Sequence, residues 1–307
     1  MRSKWFTVVQ SIIGLVIVAL VARSVIGDWD RVRASGIAFT FRPGWLLLSL
    51  LLTWVGYAGL IEGWRRMVTG WGVALRWPLA GRIWILASFG KYLPGKLWAI
   101  AGMAVLSERA GVNGKVTTAA AIVMQVLAIG TGLAVAALAI GPAIKAWNPD
   151  AGMAMTLLGV VVLGALAAVA SRRVITTLWP LARRDGPAPA PPRKRELVLG
   201  AVVNVVAWLV YGAALVALAH GVLPEPVLGF REATGAFAFA YLAGYLTPIA
   251  PGGLGVRDAL LAWLLEPWLG IGPALALVAA SRLMLTLNEL GAAAPFLFLR
   301  GSARDHA

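Results

Sequence analysis

The sequence has no cysteine and only two histidines among its 307 residues. Disulfides, thiolate metal sites and cysteine nucleophiles are therefore excluded. With His220 near the end of an apolar run and His306 at the C-terminus, no Ser-His-Asp set and no metal-ligand cluster can be assembled. Charge is scarce as well, at 13% of residues, and acidic residues are the scarcer kind, 13 against 27 basic. The formal charge of +14 comes with no nucleic-acid motif, so basic loops beside anionic lipid headgroups account for it and nucleic-acid binding is not expected. No catalytic residues, cofactor or metal are expected, and the chain reads as a non-enzyme.

What is abundant is apolar sequence. Hydrophobic residues make up 60%, the mean hydropathy is +0.82, and several runs reach the ~20 residues needed to cross a hydrocarbon core. The runs are continuous rather than alternating, which favours helices over a membrane barrel. The fold class expected is an all-α polytopic membrane protein, a single integral membrane domain over 1–307 in the inner membrane. The 14 tryptophans read as interface anchors and packing.

The chain divides as follows. Lys4 precedes an apolar run, Trp5 to Ala22, too long for a signal-peptide core and read as an uncleaved first span. Further spans are expected at Gly44–Ile61, Val116–Ala143, Ala151–Ala170, Leu197–Ala219 and Pro273–Leu299. Two pairs of short apolar pieces, 78–92 with 97–106 and 233–246 with 259–269, are read as re-entrant hairpins, giving about eight transmembrane segments. Ser171 to Glu196, with its run G-P-A-P-A-P-P among seven basic residues, reads as a proline-stiffened cytoplasmic linker. The clusters at Arg65, Arg66, Arg76 and Arg82, in that linker, and at Arg300 and Arg304 put both termini in the cytoplasm by the positive-inside rule.

Two interruptions stand out. Gly90 to Lys96 reads G-K-Y-L-P-G-K, and Tyr245 to Asp258 reads Y-L-T-P-I-A-P-G-G-L-G-V-R-D. Irregular backbone at membrane depth survives where protein buries it or it lines a wet cavity. Counting from Pro94 and Pro251, the next spans open at equal distances, at Val116 and Pro273. Each half, about 5–143 and about 151–299, thus reads span, span, interrupted hairpin, span, and three crossings separate the halves, so the second is inverted. Inverted repeats with paired Gly/Pro breaks point to a transporter's binding site.

The breaks supply an expected chemistry. A half-helix starting in mid-membrane directs free backbone N–H groups and a positive dipole end at the cavity. Pro94, Gly95, Pro251, Gly252 and Gly253 open the backbone there, and Lys91, Lys96 and Arg257 add positive charge, an arrangement suited to a phosphate. Asp258 is expected to pair with Arg257 or to cap the half-helix. Gln125 and Arg282 fall at equivalent points of the two repeats, and Arg282, Thr286 and Glu289 share one face of the last helix. Mid-span charges are functional or paired. The pairings open from sequence are Arg282 with Glu289, or Glu289 with Arg257.

These segments carry a resemblance. G-K-Y-L-P-G-K-L-W (Gly90 to Trp98) and P-G-G-L-G-V-R-D-A-L-L (Pro251 to Leu261) resemble the lysylphosphatidylglycerol synthase transmembrane-domain family, the flippase half of the multiple peptide resistance factor. The resemblance implies a lipid-translocating domain with two re-entrant hairpins, and Lys91, Tyr92, Pro94, Gly95, Pro251, Gly252, Gly253, Gly255 and Arg257 as motif positions. No aminoacyl-transferring domain follows the membrane part, so synthase activity is not expected. The function expected is movement of an anionic-headgroup phospholipid or lipid-linked intermediate, with membrane lipids as partners. The alternative is a non-transporting subunit that anchors or regulates a lipid-modifying or glycosyl-transferring enzyme through the linker. A proton-coupled transporter with Glu289 as carrier is a third reading.

Overall fold

Long apolar runs give long helices, and in the computed structural model every regular element among the described residues is helical. The described residues are 39–92, 98–147, 149–169, 193–247, 253 and 255–298. The expected first span Trp5–Ala22, the linker up to Pro192, the breaks at Pro94, Gly95, Lys96, Pro251 and Gly252, and the basic C-terminus lie outside them.

In chain order the helices are α1 (Pro43–Gly70), α2 (Trp77–Ser88), α3 (Trp98–Arg109), α4 (Gly114–Trp147), α5 (Pro149–Val169), α6 (Lys194–Val222), α7 (Phe230–Leu246), α8 (Val256–Leu269) and α9 (Ile271–Phe298), with a 3-10 turn at Phe89–Tyr92 after α2. Four are long and apolar enough to cross a membrane, within α1, α4, α6 and α9. The expected span 151–170 falls on α5, whose described apolar stretch runs Gly152–Val162. Length separates the classes. At 28 residues α1 is about 42 Å long, beyond the ~30 Å hydrocarbon thickness, whereas α2 and α3, at 12 each, reach only about 18 Å.

Two boundaries differ from expectation. Arg65 and Arg66 were expected in a loop after Ile61, but α1 continues to Gly70. Glu62 accepts from Arg65 at 2.7 Å and from Arg66 at 2.6 Å, and these i,i+3 and i,i+4 pairs offset the charge that would otherwise end the apolar helix. Arg82, counted with that basic cluster, sits inside α2, within the apolar piece expected over 78–92. At the other end of the expected linker, Lys194, Arg195 and Glu196 already belong to α6, with Glu196 in its first turn where the helix dipole favours an acid.

The centre of the molecule is the α1–α6 pair. The two helices run antiparallel. The start of α1 meets the end of α6 through Thr40 N–H to Val222 O at 3.0 Å and Arg42 N–H to Gly221 O at 3.1 Å. At the far ends, a Cβ on Gly70 would lie 2.7 Å from the Glu196 side chain. His220, near the end of α6, stacks on Trp45 at the start of α1 with ring centroids 4.8 Å apart.

The remaining helices flank this pair. The hairpin α2–α3 packs on α4 and on α9, and the hairpin α7–α8 packs on α9 and on α4. Ala139 of α4 accepts from Arg231 Nε at 3.0 Å, and Phe296 of α9 lies over Gly81 of α2. Ala139 and Phe296 stand equally far beyond Pro94 and Pro251. Each hairpin closes on a glycine. A Cβ on Gly90 would lie 2.6 Å from the backbone of Trp98 and Ala99, and one on Gly244 would lie 2.8 Å from Arg257 Cβ. Two buried apolar clusters form the core, one around Trp64, Ile83 and Val116, the other around Leu215, Phe237 and Leu277.

Candidate functional site

Between the two hairpins, α1, α4, α6 and α9 enclose a cavity of about 260 Å³. Of the residues singled out in the sequence, it is lined by Lys91, Tyr92, Gln125, Gly253, Arg257, Arg282 and Glu289. Asp258 stands directly behind, bonded to Arg282. Segments nearly two hundred residues apart therefore meet at one place.

Local structure sets each side chain. The 3-10 turn after α2 carries Lys91 and Tyr92 to α9, where the Lys91 ammonium bonds Glu289 Oε1 and the Tyr92 hydroxyl donates to Oε2 at 2.8 Å. Gly255, with φ of +81°, turns the chain into α8, and Asp258 Oδ2 accepts its N–H at 3.3 Å, closing the open end of the helix. The same Oδ2 accepts from Arg282 Nη2. Arg257 Nη2 donates to the Ser281 hydroxyl at 2.9 Å, and its guanidinium lies 5.5 Å from the centroid of the Phe237 ring.

Neither pairing open from sequence forms. Arg282 bonds Asp258 rather than Glu289, and Glu289 bonds Lys91 and Tyr92 rather than Arg257. The residues of α9 point along one face, as expected, but that face is read by two different hairpins. Thr286 adds only a bond to Arg282 O at 3.0 Å, the usual use of a hydroxyl inside an apolar helix. Of the two roles expected for Asp258, the cap forms and the pair with Arg257 does not.

The charges do not balance. Among the described residues, Lys91, Arg257 and Arg282 face Asp258 and Glu289, leaving one cation in excess, and Arg257 is the one of the three with no carboxylate. Arg257 is only 5% exposed, and its Nε has no hydrogen-bond partner. Removing a charge from water costs several kcal/mol unless a counter-charge and hydrogen bonds replace the solvent. Arg257 is therefore a buried guanidinium at the cavity wall whose charge no carboxylate among the described residues offsets.

Sequence reasoning missed the aromatic wall. All five tyrosines of the chain, Tyr57, Tyr92, Tyr211, Tyr241 and Tyr245, line the cavity. Trp64, Trp84 and Trp208 join them at the cavity wall, and Trp64 and Trp208 are buried, in keeping with the packing role expected of the tryptophans. Asn204 and Ser281 were also not identified with the site. The signal in the sequence was faint, since the tyrosines come from four separate elements. Only Tyr241 and Tyr245, at i and i+4, mark a common helix face.

A family model described as the lysylphosphatidylglycerol synthase TM region matches residues 8–283. The match takes in both hairpins and the two arginines of the cavity, and ends within α9 before Glu289. No curated protein matches the chain.

Proposed function

The chain belongs to the lysylphosphatidylglycerol synthase TM region family and is a multi-pass membrane protein, and from that premise we propose that it moves lipids with an anionic headgroup across the inner membrane. The observation that carries this reading is Arg257, buried at the cavity wall without a counter-charge. The headgroup phosphate supplies that charge and meets Arg257 and Arg282. The tail stays in lipid, because a cavity of about 260 Å³ lies below the ~300–1,000 Å³ typical of pockets that enclose a whole drug-sized ligand.

The packing supports alternating exposure by rocking of two inverted repeats. The proposed equivalents α1 and α6 lie antiparallel. Each hairpin reaches the long helix of the other half, α7 against α4 and α2 against α9, as a two-fold axis in the membrane plane requires. Hairpin arms of about 18 to 26 Å are too short for comfortable crossings, which favours re-entrant placement. Both termini are cytoplasmic in this arrangement.

The test is a reconstituted liposome assay with a fluorescent anionic phospholipid. Wild-type protein is expected to expose the lipid to the opposite leaflet. Arg257→Gln is expected to slow this by roughly ten- to a hundredfold, since a hydrogen bond to a charged group contributes about 1.5–3 kcal/mol. Equal rates for the wild type and Arg257→Gln would sink the proposal.

A further inference from the structure

We infer that the cavity selects a phosphodiester carrying a neutral cyclic polyol, a sugar or inositol ring, an inference that rests on the anionic-lipid reading above and narrows it. The starting point is the wall of rings. Trp84 and Tyr57 lie 5.8 Å apart by centroid, Tyr57 and Tyr211 6.3 Å, Tyr211 and Trp208 6.5 Å, and Trp208 and Tyr241 5.7 Å. The series is continuous and crosses from the first half of the molecule to the second.

Its polar atoms are arranged unevenly. Trp208 Nε1 donates to Ala128 O at 3.2 Å and Trp64 Nε1 to Thr117 O at 3.3 Å, so these indoles have used their only donor and offer apolar rings. The hydroxyls of Tyr57, Tyr211 and Tyr241 bond no protein group among the described residues. Phenylalanine would pack as well in an apolar wall without the cost of burying a hydroxyl. Rings with free hydroxyls at their rims match a ligand that has both C–H faces and hydroxyls, which is the chemistry of a cyclic polyol. Gln125 and Asn204 add amide groups at the same wall.

Charge and shape argue against the other common headgroups. Among the described residues the cavity carries one excess cation, which a single phosphodiester neutralises. An added ammonium group would find both carboxylates taken, Glu289 by Lys91 and Asp258 by Arg282. Lys91 and Arg257 already lie over Tyr92 and Phe237, at 5.3 and 5.5 Å from the ring centroids. A linear glycerol headgroup has the right charge but no flat face to set against the rings.

The experiment titrates purified protein in detergent with short-chain lipids and reads the shift of its thermal unfolding. The probes are dioctanoyl phosphatidylinositol and a short-prenyl phosphohexose, against dioctanoyl phosphatidylglycerol, phosphatidic acid and phosphatidylethanolamine. One of the two ring-bearing lipids is expected to half-saturate at a concentration about tenfold below phosphatidylglycerol, and which one does so identifies the ring as sugar or inositol. The triple variant Tyr57→Phe, Tyr211→Phe, Tyr241→Phe keeps the rings and is expected to erase that preference while binding phosphatidic acid as before. Should it not purify, Tyr211→Phe and Tyr241→Phe singly carry the comparison. Equal binding of ring and glycerol lipids, or a preference that survives loss of the hydroxyls, overturns the inference and leaves the anionic-lipid reading standing if Arg257→Gln weakens every anionic lipid. Binding indifferent to Arg257→Gln, or tightest for phosphatidylethanolamine, overturns both.

Discussion

The two hairpins both reach the cavity and present opposite electrostatics to α9. The first brings a lysine and a tyrosine to Glu289, and Lys91 keeps 27% of its side-chain exposure. The second brings Asp258 to Arg282, whose side chain is only 4% exposed, and Arg257 to Ser281. The two carboxylates are about equally buried, at 10% and 11%, so the pairs differ in their cations, and the more exposed cation loses less when its partner is removed. The first contact is therefore expected to be the looser of the two, and the second the locked one. Both end on a single helix. The helix that the proposed repeat pairs with α9, α4, carries Gln125 where α9 carries Arg282. In the proposed repeat the frame is shared between the halves, and the charge is not.

That contrast can be broken at its strongest point first. Asp258→Ala leaves Arg282 buried without a partner and opens the cap of α8, and is expected to lower stability by about 3–5 kcal/mol. Chemical denaturation in mixed micelles measures this, and a loss below about 1 kcal/mol would mean that the second hairpin is not the locked one. Glu289→Gln removes the ion pair of the first hairpin but keeps an acceptor for Tyr92. Its expected cost is smaller, about 1–2 kcal/mol in the same measurement, because Lys91 can turn to water. A cost equal to that of Asp258→Ala would erase the difference between the hairpins. Gln125→Leu probes the uncharged side and is expected to change stability by no more than about 0.5 kcal/mol. A cost approaching that of Arg282→Leu would show that the asymmetry of charge is not an asymmetry of support.

Much of the frame was legible in the chain. The long apolar runs marked α1, α4, α6 and α9 because hydrophobicity over some twenty residues is a local property. The paired Pro-Gly segments marked the hairpins, and the register of Arg282, Thr286 and Glu289 marked the face of α9. The limits were also physical. Glu62 hid the continuation of α1, since two arginines after an apolar run look like a boundary until the acid that offsets them is paired. The tyrosines carried no shared period, so nothing in the sequence joined Tyr57 to Tyr211. Gly56, placed where a Cβ would meet the Tyr211 ring at 2.8 Å, shows that their meeting depends on how closely α1 and α6 approach.

By itself the sequence determined that this chain belongs in a membrane, where its helices are interrupted, and that cations gather at the interruptions. Each of these follows from residues close together in the chain. Only the tertiary structure decided which cation meets which carboxylate and which is left over. Lys91 and Glu289 are 198 residues apart, and at such separations the partner of a charge is set by the packing of helices. The same packing leaves Arg257 as the unbalanced charge, because Asp258, its neighbour in sequence, leads away from it along α8 to Arg282.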